Sequence, residues 1–168
     1  MMEIVVRSIN PSEVPLLDDF LYEAIFLPPG VEAPPRSIID DPALQVYVEG
    51  FGTRLDDHGL VAEVDGKVVG AVWVRVMNDY GHLDDDTPSL AISLYPAYRK
   101  KGIGTLMMRR MLYLLREKGY QKVSLSVQKE NARAVHLYQK TGFETIRETP
   151  DEFLMVCRLC EIFPFHDY

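Results

Sequence analysis

Residues 90–105, LAISLYPAYRKKGIGT, constrain this chain more than any other stretch. Leu90, Ile92 and Leu94 alternate as one face of a strand, and Pro96 ends it. A basic turn punctuated by glycine follows (Arg99, Lys100, Lys101, Gly102, Ile103, Gly104), and a long helical pattern opens behind it. The first amides of a helix have no intrahelical acceptor and carry the positive end of its dipole. Glycine lets an anion approach such a backbone without meeting a Cβ. A strand that feeds this turn is therefore a candidate phosphate site.

Charge bears on what the anion can be. The 168 residues carry a net charge of −7 with a pI near 5.1, so the overall basic footprint of a nucleic-acid binder is missing. Residues 99–110 nevertheless hold five cations and no carboxylate, and residues 79–86 hold four carboxylates. One cationic turn on an acidic protein fits a small anionic ligand better than a polynucleotide. No apolar run is long enough to span a bilayer, and MMEIVVRSINPSE lacks the pattern of a secretion leader. The expectation is a cytoplasmic protein that uses neither nucleic acid nor membrane. Cys157 and Cys160 have CxxC spacing within an expected last strand, where residues three apart face opposite sides. No second pair completes a zinc site, so no metal is expected.

The chain reads as one domain over residues 1–168, an α/β fold with a mixed sheet. Strands are expected at 4–9, 60–64, 68–77, 90–94, 122–127, 143–147 and 153–159. Asp65-Gly66 reads as a hairpin turn. A helix capped by Ser12, with Pro15 in its first turn, presents Leu16, Leu17, Phe20, Leu21, Ala24 and Ile25 on one face. Further helices are expected at 43–49, 104–118 and 131–140, the last two closing at Gly119 and Gly142. Residues 27–42 contain five prolines and read as a long loop of the kind that often serves function.

The glycine turn has competing readings. A lone GxG can be no more than a tight bend. A dinucleotide fingerprint needs a third glycine where Met107 stands, and a nucleotide-hydrolysing P-loop needs Lys-Ser or Lys-Thr after its glycine. RxxGxG, with Arg99, Gly102 and Gly104, remains. This segment resembles the coenzyme A pyrophosphate loop of the GNAT N-acetyltransferase superfamily. The segment NARAVHLYQKTGF resembles that family's second signature through Asn131, Ala134, Tyr138, Gly142 and Phe143. The two occur in the family's order, and the likeness covers roughly residues 60–159.

The resemblance implies a GNAT-like acyl-CoA N-acyltransferase fold with acetyl-CoA as cosubstrate. It implies that amides of Lys100, Lys101, Gly102, Ile103, Gly104 and Thr105 hold the pyrophosphate, with charge from Arg99 and the two lysines. The backbone of Ile92, Ser93 and Leu94 would pair with the pantetheine arm and orient the thioester oxygen, where charge builds during attack. Asn131 would contact the same arm as well as capping its helix. Tyr138 would supply a proton to the leaving thiolate, roughly 1.5 pKa units or about 2 kcal/mol uphill.

Many relatives carry a glutamate at the head of the strand before the loop; here that neighbourhood is Thr87, Pro88, Ser89, and none is a usable base. An alkyl amine is about 4.6 kcal/mol from its neutral form at pH 7. Candidates to accept its proton, or to bind the acceptor, are His82, Asp84, Asp85, Asp86 and Glu23. Trp73 and Arg75 share a strand face, where core packing is the commoner role and the border of an acceptor groove the alternative. The expected function is acetyl transfer from acetyl-CoA to a primary amine, in a small molecule or a peptide, without an acyl-enzyme. A non-catalytic acyl-CoA sensor and a transferase of longer acyl groups are the alternatives. Phe163, Phe165 and Tyr168 suggest a contact surface for a homodimer.

Overall fold

The computed structural model describes residues 2–80 and 82–161. One seven-stranded sheet has the order β1-β2-β3-β4-β5-β7-β6. Its strands are β1 (Ile4–Ser8), β2 (His58–Val64), β3 (Lys67–Arg75), β4 (Ser89–Leu94), β5 (Lys122–Gln128), β6 (Phe143–Glu148) and β7 (Glu152–Arg158). Helices α1 (Leu17–Glu23) and α2 (Pro42–Gln45) precede β2, α3 (Ile103–Glu117) links β4 to β5, and α4 (Ala132–Lys140) follows β5. Only β4 and β5 run parallel; every other pair is antiparallel, so the sheet is mixed as expected.

Alternation along the strands sorts the core into two layers. Val72, Val74, Leu90, Leu94, Val123, Leu125 and Met155 pack against the buried stripe of α3, Ile103, Met107, Met108, Met111, Leu112 and Leu115. Val61, Ala71 and Trp73 point the other way, against Leu17, Phe20 and Leu21 of α1 and against Ile39, Val48 and Phe51. Asp65 and Gly66, both at positive φ, turn β2 into β3. A full Schellman arrangement ends α3: Tyr120 N–H reaches Leu115 C=O and Gly119 N–H reaches Arg116 C=O, each at 3.0 Å, with Gly119 left-handed.

Several expected elements differ in detail. The first helix begins as a 3₁₀ segment (Pro11–Leu16), with Asn10 rather than Ser12 at its cap. Glu13 accepts the Asn10 N–H at 2.9 Å, and Pro15 inside the segment has no N–H to give to an α-helical bond, so α geometry starts only at Leu17. Helix α1 ends at Glu23, which leaves Ile25 outside it. The proline-rich loop contains a 3₁₀ turn (Arg36–Asp40), and α2 is a single turn starting on Pro42 with Asp41 accepting from Ala43 N–H. Strand β3 stops at Arg75 and β7 at Arg158. Cys157 is buried, whereas Cys160 sits exposed in a 3₁₀ turn beyond the strand.

Trp73 and Arg75 are core residues and border no groove. Trp73 Nε1 donates to Tyr47 C=O at 3.0 Å. Arg75 is fully buried and forks onto Asp57 through Nε and Nη2, each at 3.0 Å; its Nη1 donates to the carbonyls of Val46 and Glu49. The aromatic positions 163, 165 and 168 lie outside the described residues.

Candidate active site

Strands β4 and β5 pair at one position, Ser89 with Ser124, and then part. Tyr95 N–H donates to Val69 C=O at 2.9 Å, so by the alternation of an antiparallel ladder the polar groups of Ser93 and Ala91 face β3. Those of Ile92 and Leu94 consequently face the gap beside β5. The Ser93 hydroxyl is spent on the Phe20 carbonyl at 2.6 Å, tying β4 to α1. Ser93 thus lines the site, but Ile92 and the Leu94 N–H carry the open edge, the Leu94 carbonyl accepting from Arg99 Nε at 3.1 Å.

Beyond β4, residues Pro96–Tyr98 make a 3₁₀ turn. Lys100 (φ 63°) and Gly102 (φ 83°) then reverse the chain in left-handed conformations. At Gly102 such a φ strains any side chain. Gly102 is the N-cap of α3, and its carbonyl takes the Leu106 N–H at 3.2 Å. The N–H groups of Ile103, Gly104 and Thr105 thus precede the first closed turn. At Gly104 a Cβ would meet Leu137 and Leu94 only in ordinary van der Waals contact, 3.7 and 3.8 Å away, so the fold itself does not demand glycine there. Lys100 and Lys101 make no ion pair among the described residues.

These elements bound a cleft of about 730 Å³. One wall is Ile92, Ser93 and Leu94 with Arg99 and Gly104; a second is α4 and its cap, with Asn131, Arg133 and Tyr138. The third is the end of α1 and the loop behind it, with Tyr22, Glu23, Phe26, Pro29 and Pro34. Tyr22 donates its hydroxyl to Pro34 C=O at 2.5 Å, which folds that loop back over the cleft. Asn131 caps α4, its side-chain oxygen accepting from Ala134 N–H at 3.3 Å, and keeps its NH₂ free for a second partner. Neither Glu130 nor Arg133, which also line the cleft, is marked by the sequence motifs.

The Tyr138 ring tilts against Phe143, with centroids 5.8 Å apart. The side chain is half-buried, yet the protein packed around its hydroxyl pushes its pKa up to about 12. Among the described residues nothing hydrogen-bonds this hydroxyl. It remains a protonated donor at every ordinary pH.

The candidate bases scatter. Asp84 accepts from the Thr87 hydroxyl (2.7 Å) and from Asp86 N–H (2.9 Å), and pairs with Lys122 at 3.4 Å. The Thr87 bond, above all, holds its carboxyl below the usual range. His82 Nδ1 lies 2.8 Å from Met77 C=O, and Asp85 is almost fully exposed. This acidic loop sits at the Ser89 end of β4, about 17 Å along the strand from Leu94. Of the five candidates only Glu23 lines the cleft, where it is paired with Arg99.

A second polar group lies on the α1 face of the sheet and carries no motif. The Tyr47 hydroxyl is close to Asp79 and Ser126, and Asp79 accepts from Ser89 at 2.8 Å. Burial, reinforced by the Asp79 charge, pushes the Tyr47 pKa far up. Its sequence trace is slight: serines at 124 and 126 alternate with Val123, Leu125 and Val127 in β5. Among the described residues no three His, Cys, Asp or Glu side chains are grouped to hold a metal, and no helix is long and apolar enough to cross a membrane.

The model of the Acetyltransferase (GNAT) family matches residues 22–143, a span that includes every wall of the cleft. The chain belongs to this family. Over 95 residues it is 34% identical to the mycothiol acetyltransferase of Thermobifida fusca, a match covering 53% of this chain and 29% of that protein. It is 33% identical over 95 residues to the N-alpha-acetyltransferase of Sulfurisphaera tokodaii, covering 52% and 56%. The matches thus span between about a third and a little over half of these relatives' lengths. The PaiA N-acetyltransferase of Thermoplasma acidophilum, solved in complex with coenzyme A, has the same fold: TM-score 0.68 at 19% identity, over 93% of this chain and 99% of that one.

Proposed function

We propose that this protein transfers an acetyl group from acetyl-CoA to a primary amine by direct attack. The observation that carries the reading is the parted β4–β5 pair. It leaves the Ile92 edge open in one cleft with Gly104, in the first turn of α3, and with Tyr138. The membership of the family and the coenzyme A complex of a relative with the same fold support it.

In this reading the α3 amides hold the diphosphate, with Lys100 and Lys101 adding charge that salt screens. Ile92 pairs with the pantetheine amides as a neighbouring strand would. The amine nitrogen attacks the thioester carbonyl carbon, the C–N bond forms, the C–S bond breaks, and the amine's proton passes to solvent or to a carboxylate. Tyr138 donates a hydrogen bond to the departing sulfur. Full transfer from a hydroxyl of pKa about 12 to an ordinary thiolate is uphill by roughly 5 kcal/mol. Tyr138 therefore stabilises the thiolate, and the thiolate's proton comes from solvent.

A sensor that only binds acyl-CoA has no use for an unpaired hydroxyl in the cleft. Thiol release from acetyl-CoA across a panel of amines, polyamines and peptides distinguishes the two. Release with one class, reduced in Tyr138→Phe, supports the enzyme; tight cofactor binding without release on any member overturns it.

A further inference from the structure

Arg99 spans the cleft. Its Nε donates to Leu94 C=O at 3.1 Å, at the end of β4, and its Nη2 is divided between the Glu23 carbonyl (3.2 Å) and the Glu23 carboxylate (3.3 Å) at the end of α1. The carboxylate contact is the longest of the three and is single-pronged. Arg99 is 39% and Glu23 24% exposed. A partly wet pair of this geometry contributes little and exchanges readily. A guanidinium prefers a phosphate it can fork onto, and Gly104, in the first turn of α3 where a diphosphate would sit, lines the same cleft as Arg99.

We propose that Glu23 competes with the cofactor for Arg99: its carboxylate occupies the guanidinium until a diphosphate at the start of α3 takes it over. The inference rests on the reading of the cleft as a coenzyme A site. The Leu94 bond keeps Arg99 anchored through the exchange, so only the outer nitrogen changes partner. Once released, Glu23 stands in the cleft as an unpaired anion beside Tyr22 and Phe26.

Calorimetry with two probes, coenzyme A and pantetheine, which lacks the diphosphate and nucleotide, tests this on the whole chain. If Glu23 competes with phosphate, Glu23→Gln binds coenzyme A about three- to fivefold more tightly than the unaltered protein. Pantetheine affinity is unchanged by that variant. In an Arg99→Gln background, where coenzyme A binds more weakly, adding Glu23→Gln makes no difference. Three results overturn the proposal: weaker or equal coenzyme A binding in Glu23→Gln, equal tightening for pantetheine, or the same tightening without Arg99, which is plain loss of a repulsive charge. Absence of coenzyme A binding by the unaltered protein instead removes the cofactor reading itself.

Discussion

Gly70 of β3 stands directly across from Leu94 of β4, and a Cβ built on it would come within 2.4 Å of Leu94 Cδ2 and 2.9 Å of Ser93 C=O. The side chain can swing aside, but the carbonyl belongs to the ladder that aims Ile92 and Leu94 at the cleft. Gly70→Ala therefore displaces β4 at its open end. Thermal or urea unfolding is expected to show a loss of about 1–3 kcal/mol, accompanied by weaker coenzyme A binding. Leu94→Ala in the same chain relieves the side-chain clash and recovers only part of the loss, because Ser93 C=O remains in the way.

Arg75 and Asp57 are both fully buried and bonded through two parallel contacts. Removing one partner leaves the other charge without water. Asp57→Ala is expected to cost about 3–5 kcal/mol in denaturant titration. The variant also leaves the N–H groups of Gly52 and Arg54 without the carboxylate that accepts them at 2.9 and 3.2 Å.

Glu13 accepts from Arg7 through both carboxylate oxygens, at 2.9 and 2.7 Å, and that bond lowers its pKa to about 2. A depressed folded-state pKa contributes stability above the unfolded value, near 4.5, and loses it as pH falls through the folded value. The contribution is therefore complete at pH 6 and disappears between about pH 4.5 and 2. The pair is partly exposed, so its size is about 1 kcal/mol. Unfolding of Glu13→Gln against the unaltered chain at pH 6 and pH 2 measures it, with the gap expected to close at the lower pH.

A Tyr138 pKa near 12 places its ionisation beyond the range in which the protein would be assayed. Catalysis between pH 7 and 10 is expected to show no alkaline fall that disappears in Tyr138→Phe. The same variant should lose about 10²-fold in kcat with little change in KM for acetyl-CoA. A fall that vanishes on substitution would mean that the hydroxyl ionises far lower than its surroundings imply.

Much of this architecture was legible in the sequence because it is written in short-range chemistry. Asp65-Gly66, Gly102, Gly119 and Asn131 each fix a local backbone geometry, and each performs that job in the structure. Alternation in β2, β4 and β5 marked those strands. The start of the first helix misled because Ser12 and Pro15 look like cap and first turn, whereas Asn10 and Glu13 satisfy the leading N–H two residues earlier. What the sequence concealed is long-range. Nothing near Arg99 announces Glu23, 76 residues away, or shows that the acidic loop at 84–86 faces Lys122 at the far end of β4. The group of Tyr47, Asp79 and Ser126 is likewise assembled from three separate elements by the sheet, with no spacing to betray it.

The central claim is that the opening of α3 seats a diphosphate beside the free edge of β4. Amide NMR on the ¹⁵N-labelled protein during titration with coenzyme A tests it most directly. The largest shifts are predicted at Lys101, Gly102, Ile103, Gly104 and Thr105, with smaller ones at Ile92 and Asn131. A titration that leaves those amides still, or that moves instead the residues around Asp84 and Lys122, would contradict it.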